Sequence, residues 1–161
     1  MLVRIVSGLV AVGILLPAAW YGGWWFAALA FPVVAICLWE YFGMVLPEDR
    51  ATRVGGTVAG LLFTALLTMG GTQGPGGFVI PTAAVILPAL WFLVRTGDMD
   101  TVAARVGLSA LGLLWVPVLG GLTTSLVFLE ERFGWLLLAA TLAFGSDVGG
   151  YFVGRAIGRT P

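Results

Sequence analysis

Lysine and histidine are absent from this 161-residue chain, and cysteine occurs once, at Cys37. Without histidine there is no imidazole to act as base, nucleophile or metal ligand near neutral pH. A lone cysteine excludes an internal disulfide, and within its apolar run Cys37 reads as a small buried hydrophobe. Charge is scarce as well: 10% of residues carry it, against about 25% in soluble domains. The 8 cations, all arginine, cancel the 8 acids. The basic stripe of a nucleic-acid-binding protein is therefore missing, and no nucleic-acid partner is expected. Chemistry on this chain must come from carboxylates, arginine, hydroxyls, backbone and a hard metal ion.

Apolar residues are what the chain has in excess, at 60% of the total, with a mean hydropathy of +1.04. A soluble domain of this length could not hide so much apolar surface in one core. The excess lies in six segments, Ile5–Tyr21, Trp24–Leu46, Val54–Gly71, Phe78–Val94, Val106–Leu129 and Phe133–Val153. Each is about 17–24 residues, enough to cross a hydrocarbon core of roughly 30 Å as a helix. The runs are continuous rather than alternating, which favours helices over a barrel. The expected fold is an all-α integral membrane protein, one polytopic bundle of about six transmembrane helices embedded in the lipid bilayer.

The arginines test that count. With six spans, Arg4, Arg50, Arg53, Arg95, Arg105, Arg155 and Arg159 fall on one side and Arg132 on the other. The positive-inside rule then places both termini in the cytoplasm. Arg4 with Pro17-Ala18-Ala19 imitates a signal peptide, but Gly22-Gly23 leads straight into another span, so a retained helix is expected. Trp20, Trp24 and Trp25 at that turn read as interfacial anchors. Glycine numbers 24; in Gly56-x3-Gly60 and Gly145-x3-Gly149 its spacing suits close helix crossings. Prolines 17, 32, 81, 88 and 117 fall inside spans, where neighbours can re-satisfy the freed carbonyls. No internal repeat supports an inverted-repeat transporter.

Most charges sit at segment ends and read as solvated loop charge, including Glu48, Asp49, Arg50 and Arg53, then Arg95, Asp98, Asp100 and Arg105. Glu40 and Asp147 differ. Counted at 1.5 Å per residue, Glu40 lies roughly 10 Å before Pro47 and Asp147 about 12 Å before Arg155. A carboxylate at such depth usually faces protein or water. On a helix, Gly154 and Gly158 fall within about 20° of Asp147 and Tyr151 about 40° away, giving an acid, a phenol and bare backbone on one face. Two readings stand for that face. One is a tight helix crossing with Asp147 hydrogen-bonded to a neighbour. The other is a polar cavity where Asp147 holds a cation or hydroxyl and Arg155 meets phosphate, which an arginine fork suits. Glu40 divides likewise between a structural pairing and a site. No phosphate-binding loop, zinc-protease motif, nucleophile elbow or paired cysteines occur. Ser146 has no histidine to activate it.

The stretch Ser146-Asp147-Val148-Gly149-Gly150-Tyr151-Phe152-Val153-Gly154-Arg155-Ala156-Ile157-Gly158-Arg159 resembles the Asp-Thr-Gly-Ala-Tyr-Phe-x-Gly-Arg-x-x-Gly-Lys element of the phosphatidate cytidylyltransferases, the CDP-diacylglycerol synthases. Arg4-Ile5-Val6-Ser7-Gly8-Leu9 is similar to their opening, and Leu38-Trp39-Glu40-Tyr41-Phe42 to their Glu-Tyr/Phe element. Val148 and Gly150 replace the commoner Thr and Ala and leave Asp147, Tyr151, Gly154 and Arg155 in register. The resemblance implies condensation of CTP with phosphatidic acid to CDP-diacylglycerol and pyrophosphate, at a bacterial-type inner membrane, with Mg²⁺ as cofactor. It implies Asp147 as catalytic and metal-binding residue, and Tyr151, Arg155 and Arg159 as substrate-binding residues. The family's later lysine- and histidine-bearing signature does not occur here, so the chain is expected to be an N-terminal portion, inactive by itself, and a homo-oligomer is possible. The alternative is a small transporter or scaffold subunit with Asp147 and Glu40 on an ion path.

Overall fold

A computed structural model describes residues 2–70, 76–95 and 99–158. Among the described residues six long helices occupy the six apolar segments: α1 (Leu2–Tyr21), α2 (Gly23–Val45), α3 (Arg50–Gly70), α4 (Gly76–Val94), α5 (Met99–Ser125) and α6 (Arg132–Ile157). A 3-10 turn, Leu126–Phe128, extends α5, and no strand occurs among the described residues. Five of the helices, α2 to α6, are long and apolar enough to cross a membrane. Pro17, Pro32, Pro81, Pro88 and Pro117 all lie inside helices, as their places in the apolar runs predict.

Local chemistry sets the turns. Gly22 and Gly23 adopt φ of 63° and 54°, a left-handed region open to glycine without a Cβ penalty. That lets α1 reverse into α2 through one residue. A Cβ at Gly22 would also collide with the Arg132 side chain, which crosses the turn from the start of α6. The Leu46 amide donates back to the Phe42 carbonyl and closes α2. Asp49 then opens α3, its Oδ1 accepting from the Thr52 amide at 3.0 Å, an N-cap contact. The cap starts α3 at Arg50, ahead of the apolar run, and α5 likewise starts at Met99 rather than Val106. Arg50, Arg53 and Arg105 are thus helical residues.

The helices alternate end to end. At one end the α1–α2 turn meets the α5–α6 turn: Trp20 packs edge-on against Phe133 with centroids 5.1 Å apart, and Trp24 against Phe128 at 5.3 Å. At the other end the α2–α3 turn, the end of α4 and the start of α5 meet through Asp49, Arg95 and Arg105. The core joins α2, α3, α4 and α5 around Leu38, Phe42, Phe63, Leu67, Ala84 and Leu113. Small residues make this packing close. A Cβ on Gly60 would lie 2.5 Å from Leu38, and one on Gly56 would strike the Phe42 ring. A smaller cluster of Ala18, Ala19, Phe26, Val127 and Leu136 ties α1 and the first turns of α6 to α2.

Two expectations are corrected. Cys37 is exposed on α2 rather than buried, because Leu38 and Val34 take the inward face of that helix. Among the described residues Gly145-x3-Gly149 forms no helix crossing: a Cβ at either glycine would meet nothing within 4 Å.

Candidate functional site

Asp147, Tyr151 and Arg155 lie on α6 as the sequence places them. The helix runs unbroken from Arg132 to Ile157, with Gly158 as its C-cap and the Gly158 amide donating to Gly154 O at 2.8 Å. Asp147 and Tyr151 therefore share a face one turn apart, with Arg155 in the last turn. The face is bare. Leu136 is buried, but every described residue from 137 to 158 is exposed. Cβ atoms on Gly149, Gly150 and Gly154 would also meet nothing within 4 Å. Ser146 Oγ donates to the Ala143 carbonyl at 2.8 Å, so it is engaged by its own helix. Of the two readings of Asp147, the tight crossing with a hydrogen-bonded neighbour is not what the described residues form. Arg159 lies outside the described residues, as does Asp98.

Glu40 is exposed on α2. Its neighbours are the ordered ones: Tyr41 Oη donates to the Leu108 carbonyl at 2.8 Å, and Phe42 is fully buried. Arg53 lies over the Trp39 ring at 4.0 Å and donates from Nε to the Trp39 carbonyl. Among the described residues Glu40 and Asp147 are both exposed, on α2 and α6.

A second polar cluster departs from the reading of loop charges as solvated. The Asp49 side chain is only 9% exposed. Arg95 Nη1 donates to both its carboxylate oxygens, at 2.8 and 2.9 Å, and to Thr52 Oγ1 at 3.2 Å. Thr52 Oγ1 donates to Asp49 Oδ2 at 2.8 Å and accepts from Trp91 Nε1 at 3.0 Å. Arg105 Nη1 stands 3.9 Å from Asp49 Oδ2. Burial pushes the Asp49 carboxyl up, but hydrogen bonds from Arg95 and from the Thr52 amide and hydroxyl, with the Arg95 charge, outweigh it and hold it below its ordinary value. The signal for this cluster was present in Pro47-Glu48-Asp49-Arg50-Ala51-Thr52, an N-cap pattern ahead of an apolar run. What spacing could not supply is the approach of Arg95 from 46 positions away.

Among the described residues no group of three or more carboxylate, cysteine or histidine ligands could hold a metal ion. Asp147 offers one carboxylate. That is compatible with Mg²⁺, which takes one or two protein carboxylates and completes its shell with water and substrate phosphates. In the comparison with known proteins, the profile of the cytidylyltransferase family matches residues 2–161. No curated protein and no solved structure matches the chain.

Proposed function

Since the chain belongs to the cytidylyltransferase family, we propose that its nucleotidyl transfer joins CTP to phosphatidic acid, yielding CDP-diacylglycerol and pyrophosphate. The observation that carries the proposal is the family match along the whole length, together with the Asp147–Arg155 stretch displayed on one helix. In this reading a phosphatidate oxygen attacks the α-phosphorus of CTP in line, a P–O bond forms, and the bond to the β-phosphate bridging oxygen breaks with release of pyrophosphate. Positioning and charge stabilisation supply most of the catalysis in such transfers. Asp147 would hold Mg²⁺, which when bound offsets phosphate charge. Arg155, and Arg159 beyond it, would receive phosphate oxygens through their paired donors. Tyr151, one turn from Asp147, would donate its hydroxyl to a phosphate or to Asp147 itself.

The bare face of α6 makes this site incomplete, so the proposal requires further groups from a longer form of the chain or from a second copy. The test is CTP-dependent formation of radiolabelled CDP-diacylglycerol, run on the 161-residue chain and on a C-terminally extended form. In whichever form turns over, Asp147→Asn is expected to lower kcat by about 10²-fold or more, as when a group stabilising transition-state charge is removed. It should also weaken the Mg²⁺ dependence. Unchanged turnover and Mg²⁺ response would remove Asp147 from the site.

The proposed setting is a bacterial-type inner membrane with both termini cytoplasmic, because the arginines at the Asp49 end outnumber Arg132 at the other. A fluorescent protein fused after Pro161 should mature, whereas activity of a periplasmic phosphatase at the same point would reverse the orientation.

A further inference from the structure

No further inference is drawn: the strongest candidate, the bare face of α6 between Leu137 and Gly158 with its Gly150 and Gly154 strip, is an unpartnered helix face, and nothing in the structure shows what covers it.

Discussion

Asp49 shows how one carboxylate organises three elements. It caps α3, anchors Arg95 from the end of α4 and draws Arg105 from α5. Removing one member of a nearly buried pair leaves its partners uncompensated. The arginines are about two-fifths exposed, and water screens part of that loss. Asp49→Ala is therefore expected to destabilise the protein by about 1–3 kcal/mol, read as a lower thermal midpoint in detergent. The pH dependence has a definite sign. Because the folded Asp49 carboxyl titrates below its ordinary value, its contribution is complete above the unfolded value of about 4 and disappears as pH falls through the folded one. Wild type should lose its advantage over Asp49→Ala on acidification below about pH 4, and a constant gap between the two down to pH 2 would contradict this origin.

For the helices, glycine has two different meanings. On α3, Gly56 and Gly60 admit Phe42 and Leu38, so backbones approach closely where association depends on packing rather than hydrophobic drive. Gly56→Leu should cost about 1–3 kcal/mol or more through overpacking against the Phe42 ring. On α6, Gly149→Leu should leave the thermal midpoint of the 161-residue chain unchanged, since a side chain there meets nothing. Any loss of activity from Gly149→Leu in a turning-over form would then report contact with a group outside the described residues. Equal destabilisation by both substitutions would show that α6 packs against this bundle. The same contrast holds for the acids. Asp147 was picked out by its depth in an apolar run and proves exposed, whereas Asp49 looked like loop charge and proves nearly buried.

At the scale of the whole molecule, two ends and a middle are distinguishable. One end is aromatic, with Trp20, Trp24, Phe128 and Phe133 paired across two turns. The other carries the Asp49 cluster, and alternation of the helices directs the last turns of α6 toward it as well. The six helices and the five internal prolines were legible in the sequence, as were the helix ends to within about four residues, except the start of α5, which lies at Met99 and not Val106. Hydropathy over a membrane's thickness is a one-dimensional property, and each helix satisfies its own backbone hydrogen bonds.

The family and the candidate residues on α6 were equally legible, since Asp147, Tyr151, Gly154 and Arg155 lie within one short stretch whose spacing a helix converts directly into a shared face. Sequence spacing does not say which helix lies beside which. The meeting of Asp49 with Arg95 and Arg105 joins positions far apart in the chain. So does the difference between the Gly56 and Gly149 pairs, which read alike in sequence. By itself the sequence determined what crosses the membrane and where its family motif falls. Only the tertiary structure decided which polar groups are buried together and which helix face is left bare, because burial depends on neighbours from other helices and not on the chain's own periodicity.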